Sequence, residues 1–139
     1  MALGQDIAPL SLDVHLPAFT AASMNQPVGA LGRRARIESV GLVAATTITG
    51  HTTNYSTLSL INRGTDGSGT TVVATLAFTS GVDAAAGVLK DLTLSPTKAN
   101  LEIGADDILA LTWVEAGTGL DLPASLVSIK YGDGYGGGI

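Results

Sequence analysis

Hydrophobic and polar positions alternate along much of this chain with a period of two, the signature of strands rather than helices. The cleanest stretch is "PLSLDVHLP": Leu10, Leu12, Val14 and Leu16 fall on one face, and Ser11, Asp13 and His15 on the other. Pro9 and Pro17 fence it. Proline cannot donate to a ladder, so this strand is expected at a sheet edge. The next stretch, "AFTAASMNQPVGALG", has small residues, Pro27, Gly29 and Gly32, and no clear period. Residues 1–33 therefore read as an extended N-terminal arm carrying one short strand. Such a strand can fold back as the edge of its own domain. It can equally add to the sheet edge of a neighbouring chain, with main-chain hydrogen bonds supplying much of the affinity. The sequence is compatible with either.

From residue 34 onward, strand patterns alternate with turn chemistry. The stretches are "ARIESVGLVA" (35–44), "YSTLSLIN" (55–62), "TTVVATLAF" (70–78), "LKDLTLS" (89–95), "ANLEIG" (99–104), "DILALTWVE" (107–115) and "SLVSIKYG" (125–132). Short strands so spaced predict an all-β fold, a jelly-roll-like β-sandwich of about seven to eight strands. The one helical candidate, "GVDAAAGVLKDL", is weakened by Gly87. The expected organisation is an arm over 1–33, a sandwich over 34–132 and a glycine-rich, flexible tail over 133–139. "NLEIGADDILALTW" reads as strand, a turn at Gly104-Ala105-Asp106, then strand, as in a tight hairpin at a sandwich corner, with Trp113 as a core anchor.

Composition sharpens this picture. A chain of 139 residues fits one domain. Aromatics are only 4%, so the core must be built from Val, Ile, Leu and Ala. Charged residues are 14%, against the roughly 25% usual in soluble domains. With a mean hydropathy of +0.37, this points to a chain that hides part of its surface against partners. The net charge of −5 argues against nucleic-acid binding, which needs a basic face. Without cysteine there is no disulfide, thiolate nucleophile or cysteine-ligated zinc. The first residues lack the basic start and apolar stretch of a signal peptide. No run approaches the ~18 apolar residues that cross a bilayer. A soluble protein, made in the cytoplasm and held there until it meets its partner, is expected, with no membrane role.

Candidate chemistry is sparse. "NRGTDGSGTT" (62–71) has the glycine spacing of a phosphate loop at Gly64 and Gly69. Thr70 and Thr71, however, stand where a lysine and a Ser/Thr are needed, and a strand follows instead of a helix. Calcium requires six or more oxygen ligands, and Asp66 is the loop's one carboxylate. Residues tolerant of positive φ at Asp66-Gly67 and Ser68-Gly69 suffice for a hairpin, so the loop is expected to turn the chain. His15 and His51 lie far apart in sequence with no nucleophile signature beside them, so no enzymatic activity, metal or cofactor is expected. Of adjacent Asp106 and Asp107, one should cap the backbone while the other faces solvent. "GRRAR" places Arg33, Arg34 and Arg36 at the junction of arm and sandwich. They either clamp an acidic patch on a partner or form a solvated strand start balanced by Glu38.

The stretch from "SLINRGTDGSGTTVVATLAF" through "LEIGADDILALTW" resembles small virion proteins of tailed bacteriophages, over roughly residues 36–131. The matching features are the "L-x-N-x-G-x-D-G-x-G" turn, the "T-x-V-A-x-L" strand and the later strand–turn–strand, none of them catalytic. The resemblance implies a head decoration (cement) protein, bound outside the expanded capsid and stabilising it against internal DNA pressure. It further implies a homotrimer, the major capsid protein as partner, and a place on the virion exterior. Head fibres and tail parts share similar modules. On this reading the partner-binding candidates are Leu10, Leu12, Val14 and Leu16 of the arm strand with Arg33, Arg34 and Arg36, and removing residues 1–17 should abolish capsid binding while leaving the sandwich folded. The competing class is a carbohydrate-binding adhesion module, for which the few aromatics (Trp113, Tyr55, Tyr131, Tyr135, Phe19 and Phe78) offer little platform.

Overall fold

In a computed structural model describing residues 10–20 and 22–133, the strands pair like one long hairpin rolled on itself. β1 (Leu10–Leu16) runs antiparallel to β10 (Ser125–Asp133), and β2 (Met24–Ala30) to β9 (Ile108–Glu115). β3 (Ala35–Ala44) pairs with β8 (Glu102–Ile103), and β4 (Ser56–Asn62) with β5 (Thr71–Ala77). The short β6 (Leu89–Asp91) and β7 (Thr93–Leu94) complete one edge of each sheet. The first sheet has the order β1-β10-β3-β6, with β8 also on β3; the second has β2-β9-β4-β5-β7. Two antiparallel sheets connected in this way form a jelly-roll sandwich.

The sequence pattern holds for five of the seven stretches from residue 34; "LKDLTLS" instead divides into β6 and β7, which join different sheets, and "ANLEIG" is largely a 3₁₀ turn followed by the two-residue β8. β3 spans the ten residues that the pattern marks, and β4, β5, β9 and β10 differ from expectation by a residue or so at their ends. A phase slip in β3 explains an irregularity in its sequence. Ala35 and Ile37 face inward, and so do Val40, Leu42 and Ala44, which shifts the alternation by one. The pairing jumps there: Lys130 opposes Ser39 but Tyr131 opposes Ile37, leaving Glu38 as the extra residue of a bulge. The weak helical candidate forms no helix; Ala84 makes an isolated bridge to Ile48, and β6 begins at Leu89. The helical structure among the described residues is one short 3₁₀ turn, Lys98–Leu101.

Two further expectations are corrected. The segment over residues 99–115 turns at a sandwich corner as expected, but its two strands do not pair as a hairpin: β8 lies on β3 in the first sheet, while β9 lies between β2 and β4 in the second. Asp107 fixes the corner, its Oδ2 accepting the Gly104 N–H at 2.7 Å and the Asn62 amide at 3.0 Å, while Asp106 is exposed. The first 33 residues hold two strands where the pattern gave one. β2 escaped notice because Pro27 and a bulge, with Gly29 at φ 108°, break its period. Both β1 and β2 are edge strands of this chain's own sandwich, so removing residues 1–17 would uncover β10 and take Leu16 from the core rather than leave the sandwich intact. Residues 1–9 and the tail from 134 onward lie outside the described residues.

The core is aliphatic, as the composition requires. Leu16, Ile37, Val40, Leu42, Val127 and Ile129 from the first sheet meet Leu58, Leu60, Val73, Leu109, Leu111 and Trp113 from the second. Trp113 is fully buried, its ring centroid 5.6 Å from that of Phe78, and its Nε1–H donates to the Leu120 carbonyl at 3.0 Å. The next residue, Val114, points the other way and is half exposed. The two positions should respond very differently to truncation. Trp113→Ala is expected to destabilise the fold by about 3–5 kcal/mol, and Val114→Ala by no more than about 0.5 kcal/mol, in urea unfolding.

Candidate interaction surface

The structure places the partner-binding candidates apart. Leu12 and Val14 pack half-buried against the chain's own core and Leu16 is fully buried in it, while Leu10, on the same face, is half-buried at the strand's start. Arg36 pairs within the chain, its Nη2 lying 3.1 Å from Glu102 Oε2 across the β3–β8 ladder. With both side chains partly exposed, that pair contributes little to stability. Arg33 and Arg34 are exposed in the connection that leads into β3.

The glycine-rich loop turns the chain from β4 to β5, as expected, with Asn62 opposite Thr71 at its base. Asn62 Oδ1 accepts the Gly64 N–H at 2.8 Å, and Gly64 and Gly67 take positive φ. Gly69 does not. A Cβ there would lie 2.9 Å from the Arg63 backbone, so close packing accounts for that glycine. Asp66 Oδ1 accepts both the Ser68 N–H at 3.0 Å and the Ser68 hydroxyl at 2.7 Å. These bonds favour the ionised form and hold the Asp66 carboxyl below its ordinary value. Asn62, Asp66 and Ser68 are thus engaged in turning the loop itself.

Register reveals a feature that linear reading missed, because paired residues share a face. Flanked by the buried Leu58 and Leu60, Ser59 points outward from the second sheet, and the row through it reads Asn25, Thr112, Ser59, Thr75, Thr93 across all five strands. Ser59 and Thr75 share a hydrogen bond of 2.8 Å. The row on one side is Pro27, Ala110, Ile61, Val72, and on the other Val114, Thr57, Ala77. Ser59, Ile61 and Ala110 are themselves buried, so the accessible part of the face is carried by Asn25, Pro27, Val72, Thr93 and Val114 together with the half-buried Thr57, Thr75, Ala77 and Thr112. None of these side chains ionises. The nearest charge is Arg63 at the margin, whose guanidinium reaches Asn25 Oδ1 at 3.3 Å. The outer face of the first sheet is different, carrying Asp13, His15, Lys130 and Asp91 at equivalent positions. The signal lay in Thr and Ser at alternate places of four separate stretches, and only the pairing sets them side by side.

Other features offer less. His51 Nδ1 accepts the backbone N–H groups of Thr53 and Asn54, which engages it in turning the β3–β4 loop. His15 is exposed on β1. No group of three or more metal-ligating side chains occurs among the described residues, and no helix there is long and apolar enough to cross a membrane. A depression of about 320 Å³ at one end of the sandwich is lined by Phe19, Thr20, Thr46, Thr47 and Asp121 among others. Trp113 and Phe78 are buried, and Phe19, Tyr55 and Tyr131 are half-buried.

No protein-family model matches this chain, and no curated protein does. Among solved structures, the infectious bursal disease virus Gx strain is similar over 100% of this chain at 14% identity and a TM-score of 0.45. The chain spans 37% of the length of that one. A likeness of that degree carries no argument about function.

The Asp66 contacts generate a pH prediction. A carboxyl held low in the fold stabilises the hairpin above its unfolded-state pKa, and that contribution disappears as pH falls through the folded-state value. In an NMR titration the Ser68 amide resonance should therefore move with a midpoint below 3.8. Asp66→Asn should remove that step.

Proposed function

We propose that this chain is a non-enzymatic structural protein of a virion, and within that class a decoration protein bound to the outside of an expanded phage capsid. The observation that carries the reading is the outer face of the second sheet. It is five strands wide and has no ionisable side chain in its three central rows. Water loses little when such a face is covered, since there is no charge to desolvate. The hydroxyls can re-form hydrogen bonds across a contact. On a chain of net charge −5, an uncharged face is where another acidic surface can approach without repulsion. The phage resemblance of residues 36–131 supplies the partner class, the major capsid protein.

Magnitude constrains how the face would work. Four strands at ~4.8 Å spacing with about seven residues each at ~3.3 Å, and the two residues of β7 beside them, give roughly 480 Å² of face. A standard interface buries about 800 Å² per partner. One copy alone would bind weakly. The number of sites leaves that affinity unchanged, but the small contributions of many occupied sites add up, and they stabilise whichever lattice state is bound.

The test is co-sedimentation of purified protein with expanded heads lacking their own copy, with unexpanded proheads and isolated tails as controls. Saturable binding to expanded heads alone is the expected result; binding to tails, or to no particle, would refute the decoration role. Thr57→Lys and Thr112→Arg, which place charges at the centre of the face, should each weaken head binding at least tenfold, about 1.4 kcal/mol. The same changes should leave the melting temperature within a few degrees of the parent.

A further inference from the structure

The geometry points to β1 as the surface through which two copies of this chain pair, edge to edge and antiparallel, about a twofold axis at Val14. This is independent of the capsid-binding reading, since it uses the other sheet and a different partner.

A sheet edge presents unpaired N–H and C=O groups, and proteins usually blunt such edges. Three of the four edges here are blunted. β2 carries Pro27 and a bulge, β6 has three residues and β7 has two. β1 is different. It is the end strand of its sheet, seven residues long, and its register with β10 runs without a shift from Leu10↔Tyr131 to Leu16↔Ser125. Neither proline, glycine nor lysine occurs within it. Among the described residues its second edge pairs with no strand.

What fits that edge follows from the sequence of the strand. "LDVHL" (12–16) reads the same from either end except that Asp13 mirrors His15. In an antiparallel pair centred on Val14, Leu12 of one copy opposes Leu16 of the other, and Val14 opposes Val14. Asp13 opposes His15, twice, on the outer face. Each such pair sets an imidazole N–H donor against a carboxylate acceptor at the Cβ separation of about 4.5–5.5 Å typical of directly opposed residues. Shifting the axis by one residue to Asp13 would set two carboxylates face to face, which is unfavourable. Among the described residues, the side chains nearby on this face offer Asp13 one weak partner, Ser11, and no paired cation. Asp13 shares its row with Ser128, Gly41 and Asp91, and His15 shares its row with Leu126, Val43 and Leu89. Ser11 Oγ approaches Asp13 at 3.4 Å, a long contact, and Lys130 stands opposite Ser11.

Inward, the half-buried Leu12 of each copy would stand beside the other copy's Leu16, which its own core already buries, and the two Val14 side chains would meet at the axis. Pro17 would oppose Ser11 and stop the ladder. The joined first sheets would run as β6-β3-β10-β1-β1-β10-β3-β6. Because the contact is isologous it consumes both edges and closes, so it yields dimers and not filaments. A twofold dimer differs from the trimer that the phage resemblance implies, which makes the oligomer number itself informative.

Sedimentation velocity from about 1 µM to about 1 mM should show a monomer–dimer equilibrium for the unaltered chain. His15→Asp opposes carboxylate to carboxylate, and Asp13→His opposes imidazole to imidazole. Each should weaken dimerisation at least tenfold, and the double swap D13H/H15D should restore it to within about threefold of the parent. Register is read separately. The chain has no cysteine, so Val14→Cys should form an intermolecular disulfide on mild oxidation, while Ser11→Cys, about 20 Å from its counterpart across the axis, should not. Monomer at every concentration would overturn the proposal, and so would a trimer or a dimer indifferent to both single variants. Equal cross-linking at positions 11 and 14 would overturn the register. A melting curve for each variant separates loss of pairing from loss of fold.

Discussion

The ladder between Leu10–Leu16 and Ser125–Asp133 closes the first sheet and joins the first described strand to the last. It covers one side of β10, whose Val127 and Ile129 are fully buried, and it brings Leu16 into the core. Burying one such leucine contributes about 1.5–3 kcal/mol, a large share of a domain's net stability. The same pairing fixes the sense of the roll. With β1 against β10 and β2 against β9, the chain between them has to cross from sheet to sheet at each corner. The interdigitated aliphatic core follows from that crossing.

The two faces of the sandwich then divide the surface between them. Charge sits on the outside of the first sheet and at the corners, where Asp107 also holds the Gly104 backbone and Arg36 meets Glu102. The outside of the second sheet is left with hydroxyls and small apolar groups. A low charge content was visible in the composition; its segregation to one face was not, because it depends on which strands become neighbours.

The legibility of this fold follows the same division between local and non-local information. Strands from residue 34 onward are written in alternation and in β-branched residues, and the register slip at Glu38 can be seen in hindsight as Ile37 followed by Val40. The hairpin at 62–71 is legible because its glycines and Asp66 act on their immediate neighbours. β2 was hidden by Pro27 and its bulge, features that suit an edge but erase periodicity. The 99–115 segment looked like a hairpin because strand, turn and strand are local, whereas the sheet each strand joins is not. For the same reason β1 could be recognised as an edge strand, while its partner, β10, could not be named. The outward rows of the second sheet need the register of five strands before they exist as a pattern at all.

The β1–β10 ladder has a further consequence, in time. Leu16 and its partner Ser125 are 109 residues apart. At a synthesis rate of about 5–20 residues per second, β1 leaves the ribosome roughly 5–20 s before the strand that will cover it. During that interval its apolar face has no sheet to join. Ser11, Asp13 and His15, alternating with the apolar positions, keep the other half of the strand wetted while the nascent chain waits.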